Sequence, residues 1–104
     1  MVSKRGDSAF KALSDPTRRE ILRLLGAKSL SVTEIAGHFP ISQPAISRHL
    51  GVLRSAGLVS AERAGQSVVY SLDTTVFQDV VRALLDLAPS LSAGRAPESA
   101  PRRK

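Results

Sequence analysis

Ser42-Gln43-Pro44-Ala45-Ile46-Ser47-Arg48-His49-Leu50-Gly51-Val52-Leu53-Arg54-Ser55-Ala56-Gly57 is the stretch whose reading decides the fold. Ser42 suits an N-cap, Pro44 is tolerated in a first turn, and Gly57 suits a stop just past the end. Wound at about 100° per residue, Ala45, Ile46, His49, Leu50, Val52, Leu53 and Ala56 fall on one side. Gln43, Pro44, Ser47, Arg48, Gly51, Arg54 and Ser55 fall on the other. That second face is small and flat, carrying an amide, hydroxyls and two guanidiniums. A helix that presses its backbone into a DNA major groove needs such a surface, because bulky side chains would hold it off.

The flanking segments strengthen this reading. Upstream, Ser31-Val32-Thr33-Glu34 is a capping box opening a helix from Thr33 to about Phe39, and Pro40-Ile41-Ser42 makes a turn into the stretch above. Two short helices joined tightly, the second with a small polar face, form the helix-turn-helix pattern. Downstream the period changes from 3.6 to 2. Val59, Ala61 and Arg63 alternate with Ser60 and Glu62; after Ala64-Gly65-Gln66-Ser67 come Val68, Tyr70 and Leu72 alternating with Val69 and Ser71. This predicts a β-hairpin with Arg63 and Gln66 at its tip, a wing beside the groove.

Further out, Asp7 to Ser14 reads as a short helix with Ala9, Phe10 and Leu13 apolar. Asp15-Pro16 starts a second helix that runs to about Leu25 and ends at Gly26. Arg18 lies on its apolar stripe, where an ion pair with Asp15 is the expected role, while Arg19 and Arg23 face solvent. Leu30-Ser31-Val32 is a short extended piece. Asp73 or Thr74 opens a last helix to about Leu87. It carries Val76, Phe77, Val80, Val81, Leu84, Leu85 and Leu87, more apolar surface than one core-facing stripe requires. A dimer interface shared with the first helix accounts for the excess, using Phe10, Leu13, Val76, Phe77, Val80, Val81, Leu84 and Leu85. The expected architecture is mainly α with a small β-hairpin wing, a winged helix-turn-helix. Its order is helix, helix, short strand, helix, helix, strand, strand, helix.

Composition sets the outer bounds. The 104 residues suffice for one domain, expected over 1–87, followed by a basic Pro/Ser/Ala-rich tail over 88–104 expected to be disordered. The formal net charge of +6 favours an anionic partner, but half of it lies in that tail, on Arg95, Arg102, Arg103 and Lys104 against Glu98. There is no cysteine, which removes disulfides, thiolate metal sites and cysteine nucleophiles. No stretch approaches the roughly 20 apolar residues of a membrane span, so a cytoplasmic protein with no membrane insertion is expected. No nucleophile stands with a base and no ligand cluster is evident, so no enzyme is expected.

On three segments the sequence resembles the ArsR/SmtB family of bacterial winged-helix repressors: Phe10-Lys11-Ala12-Leu13-Ser14-Asp15-Pro16-Thr17-Arg18-Arg19-Glu20-Ile21-Leu22, Ser42 to Leu50, and Gly65-Gln66-Ser67-Val68-Val69-Tyr70-Ser71-Leu72. The likeness covers roughly residues 8 to 87. Where the wing runs on into Asp73-Thr74-Thr75-Val76-Phe77-Gln78-Asp79 it is most similar to the SdpR-type autorepressors, which lack metal sites. The resemblance implies a homodimer on an inverted-repeat operator of double-stranded DNA, reading bases through Gln43, Pro44, Ser47 and Arg48. Pro44 replaces a serine often found there. Together with Ser42, Arg54, Arg63 and Gln66 these form the expected DNA-binding set. Metal-sensing relatives carry cysteines in the third helix, or paired Asp and His in the last. Here the last helix has Asp73, Asp79 and Asp86 without histidine, and His38 and His49 each stand alone, His49 on the apolar arc as a hydrogen-bonded core residue. No metal and no cofactor are expected. SdpR-type relatives also imply a protein partner that relieves repression. A sensor of an unidentified ligand and a winged-helix protein-interaction module remain the alternatives.

Overall fold

The computed structural model describes residues 4–87. Helix α1 spans Lys4–Ala12, α2 Pro16–Ala27, strand β1 Leu30–Ser31, α3 Val32–Ala36, α4 Gln43–Ser55, β2 Val59–Ala64, β3 Ser67–Leu72 and α5 Thr74–Leu85. The sequence-based order is therefore the observed one, and the expected tail over 88–104 lies outside the described residues.

Boundaries follow local chemistry. Asp15 is extended, as a residue before proline should be, and its carboxylate accepts from the backbone N–H groups of Thr17 and Arg18 at 2.8 and 3.1 Å. This ends α1 at Ala12, two residues before the expected Ser14. Its start lies three residues before the expected Asp7, because an opening turn needs no apolar residue to announce it. Gly26 does not stop α2, which continues to Ala27 before Lys28 turns extended. An isolated helical glycine costs only about 1 kcal/mol, which packing of Ile21, Leu22 and Leu25 offsets. The Ser31–Glu34 capping box is present in both directions, at 3.1 and 2.8 Å. Helix α3 ends at Ala36 rather than Phe39, since His38 and Phe39 donate to Ile35 and Ala36 in tightened three-residue turns.

Helix α4 is capped at both ends. The Ser42 hydroxyl accepts from Ala45 N–H at 3.2 Å. At the far end Gly57, with φ +80°, donates to Arg54 while Leu58 donates to Leu53, a Schellman closure that needs the left-handed residue. The hairpin closes through Gly65 and Gln66; Gly65 has φ +66° and Gln66 does not go positive, the φ pattern of a type II′ turn. β3 is the middle strand of an antiparallel sheet ordered β1-β3-β2, with Leu30 opposite Tyr70 and Val59 opposite Leu72. The expected alternation in β3 is accordingly blunted: Val68 to Leu72 are all half-buried.

The core lies where α1, α2, α3 and α4 converge on the sheet and α5. Ile21, Ile35, Ile46, Leu50, Leu53 and Leu58 are its fully enclosed large side chains. Leu58 also accepts from Asp73 N–H at 2.8 Å, tying the exit of α4 to the start of α5. Val76 and Val80 belong to this core, whereas Val81, Leu84, Leu85 and Leu87 stay exposed. No helix among the described residues is long and apolar enough to cross a membrane.

Candidate nucleic-acid interface

The capping box starts α3, the Ser42 cap starts α4, and the turn between them sets the second helix across the surface of the domain. With Ile46, Leu50, Leu53 and Ala56 anchored in the core, the opposite face of α4 is outside by necessity. Gln43, Pro44, Ser47, Arg48, Gly51, Arg54 and Ser55 are all exposed. Arg48, Arg54 and Arg63 have no carboxylate partner among the described residues, where the single ion pair joins Arg23 to Glu20 on α2. The face thus offers donors that the fold itself leaves unused.

Ser42 is an N-cap first, its hydroxyl committed to the helix. Arg63 lies near the end of β2 and Gln66 in the hairpin turn, both exposed. Val52 departs from expectation: it is 39% exposed rather than inward. It stands at the edge of the apolar arc, and no neighbouring element closes over that edge.

Arg18 also departs. It forms no ion pair with Asp15; its Nε donates to the Ala12 carbonyl at 2.8 Å, and Nη1 lies 3.3 Å from Nδ1 of His49. A guanidinium can only donate, so Nδ1 of His49 is the acceptor in this contact. His49 is half-buried and hydrogen-bonded as expected of it. Arg19 reaches the Leu13 carbonyl at 2.8 Å and Arg23 is held by Glu20, whose carboxyl that guanidinium keeps below its usual range. Among the described residues no group of three or more His, Cys, Asp or Glu could hold a metal.

One feature of the interface had no sequence signal. Lys11 of α1 and Arg18 of α2 meet Arg48, Gly51, Val52 and Ser55 of α4 around one open groove. These residues are up to 44 positions apart along the chain, and no local pattern links them.

The fold has counterparts among known proteins. The family model for bacterial regulatory proteins of the arsR family matches residues 15–61. The transcriptional repressor SdpR of Bacillus subtilis (strain 168) is 49% identical over 80 residues, covering 77% of this chain and 89% of that protein. A crystal structure of a possible transcriptional regulator for arsenical resistance superposes with a TM-score of 0.70 at 40% identity, over 77% of this chain and 81% of the other. The homodimeric winged helix-turn-helix DNA-binding domain Mb0332 from Mycobacterium bovis, a possible ArsR-family regulator, gives a TM-score of 0.67 at 29% identity, over 80% of each chain.

Proposed function

Because this chain belongs to the arsR family of bacterial regulatory proteins, a family of DNA-binding transcriptional regulators and not enzymes, we propose that it is a metal-independent homodimeric autorepressor. The observation that carries the reading is the α4 face: exposed Gln43, Ser47 and Arg48 on a helix capped at both ends and anchored by Ile46, Leu50 and Leu53. Gln43 and Ser47 read base edges, and Arg48 takes a guanine edge. Arg54, Arg63 and Gln66 grip the backbone, the arginines by displacing condensed counterions.

Dimerisation through α1 and α5 places two α4 helices about one DNA turn apart, roughly 34–36 Å, so the operator is an imperfect palindrome. The exposed Val81, Leu84 and Leu85 beside half-buried Phe77, Phe10 and Leu13 supply that interface; Val76 and Val80 support it from within the core. The donor set supports metal independence: the chain has no cysteine, His38 lies in the turn after α3 while His49 lies on α4, and α5 has no histidine. Operator binding places the protein in the bacterial cytoplasm.

The test is fluorescence anisotropy on the DNA upstream of the protein's own gene, against a scrambled duplex, across a salt series and with added zinc. The expected result is a preference of roughly 10³-fold or more for the native fragment, a steep salt slope, and no response to zinc. Equal weak binding to both duplexes overturns the repressor reading. Release by zinc overturns the metal independence alone.

A further inference from the structure

The groove between α1 and α4 has a volume of about 770 Å³ and is lined by three cations, Lys11, Arg18 and Arg48, with no carboxylate among its lining residues. Three positive groups around one open space, with no carboxylate lining it, make a local potential that attracts an anion. The groove is also prepared for one. Arg18 is held by Ala12 and His49, so part of its ordering cost is already met, and three of its five N–H donors remain. Gly51 presents bare backbone, and even a methyl group there would touch nothing within 4 Å.

The position of the groove names the anion. Arg48, Gly51 and Ser55 are one stripe of α4, on the same exposed face as Gln43 and Ser47. A duplex whose major groove receives that face carries its backbone along the flank of the helix. We propose that the groove seats a backbone phosphodiester of bound DNA, with Lys11 and Arg18 as its anchors beside Arg48. The proposal rests on the DNA-binding reading above, and gives α1 a grip on DNA besides its place in the dimer.

The experiment is the same anisotropy titration with Lys11→Gln, which alters an exposed side chain, and with Lys11→Arg as the charge-retaining control. Each protomer contributes one Lys11, so Lys11→Gln should lower the slope of log affinity against log salt by roughly 1.8. It should also cost roughly tenfold in affinity at low salt, equally on native and scrambled duplexes. Lys11→Arg should keep the wild-type slope. Methylphosphonates placed one at a time should reveal a position that weakens wild-type binding but not that of Lys11→Gln, which a structural role for Lys11 would not produce.

An unchanged slope, a loss confined to the native fragment, or no such coupled position overturns the phosphate seat. Inorganic phosphate exchanged for chloride at matched ionic strength separates the sources. Release of wild type but not of Lys11→Gln, with no methylphosphonate position coupled to Lys11, would show a seat for free anion and overturn the assignment to DNA. Wild-type protein without salt dependence on either duplex would overturn the DNA-binding reading itself.

Discussion

Arg18 and Asp15 show what single residues do here when each is free to choose partners in three dimensions. Asp15 is occupied by the first turn of α2, and the backbone N–H of Arg18 is the main cause that holds its carboxyl below the ordinary value of 3.8. Arg18's side chain turns instead to α1 and α4. A carboxyl depressed in the folded state adds stability that is fully present above its unfolded pKa and is lost as pH falls through the folded one. Asp15→Asn should therefore melt below wild type at neutral pH, and the two melting temperatures should converge as pH drops below about 4. Parallel curves down to strong acid would remove Asp15 as a source of acid sensitivity. On the proposed DNA face, Arg48→Ala should cost about 1–3 kcal/mol of operator affinity and relax specificity at one base pair per half-site. Unchanged affinity in the same titration would mean that a different face of α4 meets DNA. The exposed polar face of α4 was legible because helical period and a polar stripe are local. Val52 was misplaced because exposure at the edge of a stripe depends on whether a neighbour reaches over it.

At the scale of elements, caps and turns were legible to within a residue or so: Ser42 and Gly57 bracket α4, Ser31 with Glu34 opens α3, and Gly65 turns the hairpin. Each is a short-range chemical event with a dedicated residue type. Ser31→Ala should thus lower stability by about 1 kcal/mol in denaturant titration, with the slope against denaturant unchanged. Less legible were the extent of α2 through Gly26 and the early close of α3, where packing and tightened turns outweigh propensity. The sheet order was also hidden, since β1 is only two residues long and finds β3 across 38 residues of chain. Helix α5 divides its apolar residues between Val76 and Val80 in the core and Val81, Leu84 and Leu85 outside. Leu84→Glu with Leu85→Glu, at positions 51% and 61% exposed, should leave the fold intact by circular dichroism. The same pair should shift the protein to monomer in sedimentation and weaken operator binding more than tenfold. A stable dimer after that change would place the interface elsewhere.

For the whole molecule, dimerisation and DNA binding should appear as linked equilibria. A protein that gains stability by self-association melts at a temperature that rises with concentration. The melting temperature should rise across a hundredfold dilution series read from low to high, and the Leu84→Glu, Leu85→Glu variant should lose that dependence. A concentration-independent midpoint for wild type would mean that the protomer's own core carries its stability. By itself the sequence determined the secondary structure order, the winged helix-turn-helix, and which face of α4 is polar, because caps, turns and hydrophobic period are written within a few residues of one another. Only the tertiary structure decided which apolar residues of α5 the core takes and which it leaves outside. It also decided that Arg18 serves Ala12 and His49, and that Lys11 stands across a groove from Arg48. Those outcomes depend on how helices cross in space, and that is set by the packing of the entire core.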